Sequence, residues 1–332
     1  MRTERFKFIF LLIGSMFLIF VLSGCVTPPS QNYLKVIATV NVGSYPSGIT
    51  VDPTTGMVYV SNLEGNSVSV VNGSTNQIIS TININGFPCA ITVNSVTNTV
   101  YVVNSNNNTL NVIDGGTNQI ATTISIESGP LGVAVNPTTN MIYTANGGNN
   151  TLSVVNGSTN QVISTIPIGE RPWFVAVNPT TNMIYVTNSV DNTVSVINGN
   201  TDQVVSTVNV GNYPLGVSVN SMTNMIYVAN AKDDTISIIN GYTNQVTSTV
   251  PVGKWPDAIA VDPNTNMIYV SNGIGCSVSV INGNTNQVVS TVNVGLGPTA
   301  LSVNPTTNVI YVANEASNTI SVIDANLSIS SR

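Results

Sequence analysis

The sequence contains no histidine, and charged residues make up only 7% of it. Histidine is the commonest general acid–base and metal-binding side chain, so its absence removes most hydrolytic and metal chemistry at once. No zinc-ligand spacing, EF-hand loop or Gly-rich phosphate loop compensates, and neither catalytic residue, metal nor cofactor is expected. Cations are scarcer still. Beyond the first thirty residues there are only Lys35, Arg171, Lys232, Lys254 and Arg332, against every acid but Glu4. Nucleic-acid binding rests on Lys and Arg neutralising phosphates, so no nucleic-acid partner is expected. Of the three cysteines, Cys89 and Cys276 fall at different positions of different repeats. A disulfide needs Cα atoms within about 7 Å, so none is expected between them. Leu, Ala, Glu and Lys are also sparse, while Val, Ile, Thr, Ser and Asn abound, which favours strands over helices.

The N-terminus reads as a targeting segment. Arg2, Arg5 and Lys7 precede an apolar run from Phe8 to Leu22, and Leu22-Ser23-Gly24-Cys25 follows. A basic start, a short apolar run and small residues describe a secretory signal. Fifteen residues fall short of the roughly 20 that a membrane span needs. Leu-Ser-Gly-Cys also resembles the lipobox of prokaryotic lipoproteins, which implies cleavage after residue 24 and a diacylglycerol on Cys25. The expected division is a signal peptide at 1–24, a tether at 25–33 and one repeat domain at 34–332. The expected location is extracytoplasmic, anchored to a membrane through that lipid.

The rest of the chain is periodic. Tyr59, Tyr101, Tyr143, Tyr185, Tyr227, Tyr269 and Tyr311 stand 42 residues apart, and so do the series beginning at Pro46 and Asn62. Seven ungapped copies of this length signal a propeller or a solenoid. Within one copy, Leu131–Asn136 reads as a strand A and Met141–Ala145 as a strand B. Thr151–Val155 reads as C and Gln161–Ile168 as D. Asn136-Pro137 suits a type I turn between A and B, and Asn156-Gly157 is a hairpin signal between C and D. Pro167 and Pro251 fall inside D, which places D at the outer edge of its sheet. Strand A alternates large apolar residues (Ile49, Val51) with small ones (Gly132, Ala134), as converging blades near an axis require. The Tyr and Asn series recur in every copy and read as structural, with each Tyr hydroxyl expected to find a partner.

The chain ends select a ring. Lys35–Gly43 (KVIATVNVG) matches the D strand Gln203–Gly211 (QVVSTVNVG), and the last copy stops after its C strand. An N-terminal outer strand therefore completes the last blade, whereas an open solenoid would need polar caps. The expected fold is all-β: a seven-bladed β-propeller of 42-residue four-stranded repeats closed by an N-terminal outer strand. The segments Met183-Ile184-Tyr185-Val186-Thr187-Asn188 and Met225-Ile226-Tyr227-Val228-Ala229-Asn230 resemble the YVTN motif of YVTN-type β-propeller repeats, a family of surface-layer and YncE-like proteins. The resemblance spans Leu34 to Asp324 and implies a fold, not an activity.

Function is sought where the copies diverge. Eleven of the eighteen charged residues beyond the signal lie in the D–A loops (Glu127, Glu170, Arg171, Lys254, Asp257) or the B–C loops (Glu64, Asp191, Lys232, Asp233, Asp234, Glu315). In a meander these two loop sets emerge on one face. Asp52, Asp114, Asp202, Asp262 and Asp324 replace Asn at fixed turn positions and read as structural. Tyr45, Phe87, Trp173, Phe174, Tyr213 and Trp255 all flank the D–A proline. Aromatics beside Arg and Asp form the composition of a binding surface. Tyr45, Phe87, Arg171, Trp173, Phe174, Tyr213, Trp255 and Asp257 are the candidate binding residues, unless the rings simply plug the channel mouth. The expected partner is an envelope protein, a glycan or a small ligand, bound by a monomer. The alternatives are a structural surface component, implied by the resemblance to surface-layer propellers, and, since propeller enzymes exist, a lactonase- or lyase-like activity. The acids of this face look scattered over separate blades, with Asp233-Asp234 the one adjacent pair.

Overall fold

The computed structural model describes residues 34–326. The signal segment, the tether with Cys25, and Arg332 lie outside the described residues. What is described forms seven four-stranded antiparallel sheets, each ordered A-B-C-D. Blade 1 runs Pro46–Val51, Met57–Asn62, Ser67–Asn72 and Gln77–Asn83, and blades 2 to 6 repeat it. Blade 7 takes Pro298–Asn304, Val309–Asn314 and Thr319–Asp324 as A, B and C, and Lys35–Asn41 as D. That last pairing runs antiparallel from Lys35↔Asp324 to Asn41↔Thr319. The ring is closed by the N-terminal strand, as the sequence implies.

Strand D lies outermost and its side chains are largely exposed, with Pro167 and Pro251 at exposed strand ends. Strands A face one another around the axis. The small residues there are imposed by the neighbouring blade. A Cβ on Gly132 would stand 2.3 Å from the Trp173 carbonyl oxygen, and one on Gly216 would stand 2.6 Å from that of Asp257. Between blades the core is continuous. Tyr59 packs with Ile91 and Val100 of blade 2, and Tyr311 of blade 7 packs with Ile49 and Val58 of blade 1. Burial of each such side chain stabilises the ring by on the order of 2–3 kcal/mol.

Three local expectations are corrected. The hydroxyls of Tyr59, Tyr143 and Tyr185 are buried without a hydrogen-bond partner, while that of Tyr311 donates to the Gly73 carbonyl at 3.3 Å. Ring packing fixes these tyrosines, and the hydroxyl follows. The Asn-Gly step of the C–D hairpin is not its left-handed corner either. The loop closes from Asn160 N to Asn156 O at 2.7 Å, with Asn160 at φ 57°. Gly157 is needed for space, since its Cβ would meet the Asn140 carbonyl at 2.7 Å. The A–B turn is likewise wider than type I: Asn140 N bonds Asn136 O at 2.8 Å, with Asn140 at φ 56°.

The motif asparagines clip every blade but blade 2, where Asn104 Nδ2 donates to the Asn85 carbonyl instead. Asn188 Nδ2 donates to Thr193 Oγ1 and Ser195 Oγ, both at 2.9 Å, and equivalent bonds occur at Asn62, Asn146, Asn230, Asn272 and Asn314. On the A–B face a second asparagine series joins neighbours. Asn94, Asn136, Asn178 and Asn220 donate to Asn140, Asn182, Asn224 and Asn266 of the following blade at 2.7–2.8 Å. Asp52 and Asp262 cap their turns as expected, but a carboxylate has no hydrogen to donate onward. Asp and Asn are equivalent here within the turn and not between blades.

Candidate functional site

The face built from D–A and B–C loops is organised by one repeated backbone feature. The residue before the D–A proline has positive φ in six blades: Tyr45 (61°), Gly129 (66°), Arg171 (54°), Tyr213 (56°), Trp255 (57°) and Gly297 (63°). Five of these amides donate to an Asn or Asp side chain in the B–C loop of the preceding blade. The acceptors are Asn318, Asn108, Asn150, Asn192 and Asp234, at 2.8–2.9 Å. Blade 2 departs from the scheme. Gly86 takes the positive φ there (119°), and Phe87 N bonds to Asn104 Oδ1 at 3.0 Å.

The residues just after each proline surround the axis and line a cavity of about 180 Å³. Most of its wall is apolar. Trp173 and Phe174 contribute from blade 4, and Tyr45 and Leu63 from blade 1. Its acids are Asp257 of blade 6 and Glu315 of blade 7. Asp257 Oδ2 is buried and has no hydrogen-bond partner. Burial, then the charge of Glu315, push this carboxyl well above the usual range, although the Trp255 side chain donates to it. Burial likewise raises Glu315 from 4.5 to about 7, opposed by the hydrogen bond from Tyr45 and assisted by the charge of Glu64. Tyr45 is pushed far up by burial and then by Glu315. The acids of this face are thus not all scattered: Asp257, Glu315, Tyr45 and Glu64 form one electrostatically coupled group across blades 6, 7 and 1.

Of the candidate residues, Tyr45, Trp173, Phe174 and Asp257 line the cavity. Around them, Arg171 lies over the Trp173 ring at 5.3 Å. The rings of Tyr213 and Trp255 meet at 6.0 Å, tilted 47°, and Lys232 covers Tyr213 at 4.6 Å. Phe87 does not join the cavity wall. It packs on the apolar cluster of Leu63, Cys89 and Leu110. Glu315 was not among the candidates, yet a signal for it exists. The seven residues after the motif asparagine are Leu63, Ser105, Gly147, Ser189, Ala231, Gly273 and Glu315, and only the last is charged. Its amide bonds Gly297 O at 2.9 Å, and it opens a 3-10 turn, Glu315–Ser317. Cys89 and Cys276 are both free and buried.

The opposite face carries exposed Val96, Met222 and Tyr242. These are single residues at turn tips rather than a continuous patch.

Known proteins share this ring. Residues 212–327 match the family model of YNCE-like beta-propellers. The motifs that suggested this resemblance recur at the same spacing through the rest of the ring. No curated protein matches the chain. Among solved structures this chain is similar to one described as Kuenenia stuttgartiensis Hydrazine Synthase. That similarity has 18% identity and a TM-score of 0.80, covering 91% of this chain and 100% of that one. At such identity the likeness shows a shared fold alone.

Proposed function

We propose that this propeller is an extracytoplasmic binding module. A lipid on Cys25 holds it at a membrane, and its D–A/B–C face takes an envelope protein, a glycan or a small ligand. One observation carries the binding role. Tyr45, Arg171, Tyr213 and Trp255 occupy a left-handed backbone position that Gly129 and Gly297 fill in other blades. Bulky residues are uncommon there, and each such position costs on the order of 1 kcal/mol or more. Folding would be served as well by glycine, so the bulky side chains at these positions point to a role other than folding. Tyr45 lines the cavity and Arg171 lies over Trp173, which lines it too; Arg171 offers a fork of donors and the rings offer flat apolar contact.

Glycan arrays and small-molecule thermal-shift screens supply ligands for the test. Trp173→Ala and Arg171→Gly should weaken binding at least tenfold while leaving melting nearly unchanged, and Tyr242→Ala on the opposite face should do neither. Equal losses from both faces, or from neither, would count against the assignment. The anchor is tested by mass spectrometry of the mature N-terminus, which should begin with an acylated Cys25. An unmodified Cys25 or a retained signal segment refutes it.

A structural surface role is the second reading. It is favoured by the half-exposed apolar residues Ile79, Ile163, Val205 and Val289, which recur at one position of strand D around the ring. Sedimentation that shows lateral association without ligand binding would select it.

A further inference from the structure

We propose that the axial cavity takes a small organic amine in its protonated form, with Asp257 and Glu315 as counter-ions and Trp173 and Tyr45 against its apolar body. This rests on the reading of the D–A/B–C face as a binding face and assigns the class of ligand.

The charge requirement comes first. Two carboxyl groups from adjacent blades share an apolar cavity, and no Lys or Arg lines it. Among the described residues the one salt bridge joins Lys254 to Asp234. Lys232 is placed over Tyr213 and Arg171 over Trp173. Among the described residues no cation is therefore committed to Asp257 or Glu315. Buried carboxylates are normally paired or coordinated, and here one oxygen of Asp257 is buried without any partner. A bound cation would satisfy both needs.

The nature of the cation follows from the donor set. Hard divalent ions take six or more oxygen ligands, and the described residues hold no cluster of three or more metal-binding side chains. An ammonium group needs only two or three acceptors, which Asp257, Glu315 and the Tyr45 oxygen can provide. Aromatic faces also attract such a group. An anionic ligand would meet two acids and no cation.

Size sets the remainder. Benzene fills an engineered cavity of about 150 Å³ in another protein. A volume of about 180 Å³ therefore suits one ring or a short branched chain bearing the amino group. Leu131, Val133 and Leu301 complete an apolar wall for it.

The test is calorimetric titration of the folded, full-length mature protein at pH 7.5 with benzylammonium. Benzyl alcohol and benzoate serve as neutral and anionic matches of the same shape. The amine should bind at least tenfold more tightly than either. Asp257→Asn and Glu315→Gln should each weaken the amine about tenfold, with melting curves confirming that both variants fold. Benzyl alcohol or benzoate binding as well as the amine overturns the assignment. So does an unchanged affinity in both variants, or no binding by any of the three. If the alcohol binds and Trp173→Ala abolishes its binding, the axial cavity stands as a binding site and only the cationic ligand class is lost.

Discussion

Removing the charge of Glu315 should make the ring more stable at neutral and alkaline pH. The folded protein holds this carboxyl near 7 against an ordinary value of 4.5. A raised carboxyl binds its proton more tightly in the folded state, so it favours folding below about pH 4.5. That contribution is lost as pH rises from there through 7. A tenfold difference in proton affinity corresponds to about 1.4 kcal/mol, which sets a ceiling of about 3 kcal/mol. Glu315 is only half-buried, and solvent screening reduces the figure to about 1–2 kcal/mol. Asp257 is raised by the same causes and acts in the same direction. The groups facing Glu315 are Tyr45, Glu64 and Asp257, and none of them is a cation. For a domain of this size about 1 kcal/mol moves the melting temperature by about 2 °C. Melting of the wild type and of Glu315→Gln should be followed by circular dichroism from pH 4 to 9. The difference between the curves should be near zero at pH 4.5 and reach about 2–4 °C in favour of the variant by pH 8. Parallel curves, or a variant less stable at pH 8, would refute the argument that this acid is held at a cost.

Three other outcomes follow from the ring. A form beginning at Tyr45 loses Lys35–Asn41 and exposes the edge of Thr319–Asp324, and such edges invite aggregation. It should melt far lower or self-associate in sedimentation, and monomeric behaviour with unchanged melting would contradict closure by this strand. Gly56 has φ 72° with nothing within 4 Å of a would-be Cβ, at the position where other blades place the acceptor of the Asn–Asn bond. Gly56→Asn should complete that bond with Asn304 and add about 1 kcal/mol, read as a rise in melting temperature of about 2 °C. Gly211→Ala should do the reverse, because its Cβ would stand 2.6 Å from Asn230 Cγ and Asp233 Oδ2. Overpacking of this kind costs about 1–3 kcal/mol, and unchanged melting would show that the loop shifts freely.

The fold was legible because each of its rules is written seven times. Strand limits inferred for the copy at 131–168 fall within about a residue of Pro130–Asn136, Met141–Asn146, Thr151–Asn156 and Gln161–Pro167. The tail of one copy at the start of the chain is enough to specify closure. Turn geometry was less legible. Asn156-Gly157 has the composition of a tight left-handed turn, but the neighbouring A–B turn claims the space beside Gly157 and the corner moves to Asn160. The site was half legible. Divergent aromatics and charges identified the face and put Tyr45, Trp173, Phe174 and Asp257 at the cavity. Glu315 escaped because it and Asp257 sit at non-equivalent positions of consecutive copies, and only the closing of the ring brings Tyr45 and Glu64 of blade 1 to the same axis. Phe87 misled because its ring packs into the apolar cluster of Leu63, Cys89 and Leu110 between blades.

The two sets of side-chain bonds between blades have a mechanical consequence. Blades 2 to 6 are laced on both faces, through Asn94, Asn136, Asn178 and Asn220 below and Asn108, Asn150, Asn192 and Asp234 above. Blades 7 and 1 are laced to each other through Asn318 and Tyr45 and share the N-terminal strand segment. Both lacings fail at the 6–7 junction, where Asp262 cannot donate below and Cys276 stands in the asparagine's place above. They fail again between blades 1 and 2, at Asp52 and Phe87. The propeller is thus a stiff five-blade arc joined to a two-blade clasp, with apolar packing and a few backbone-directed bonds holding the joints. Asp257 belongs to the arc and Glu315 to the clasp. The carboxyl pair is therefore placed across one of the two joints that neither lacing spans, so the charge state of the axis bears on the contact between arc and clasp.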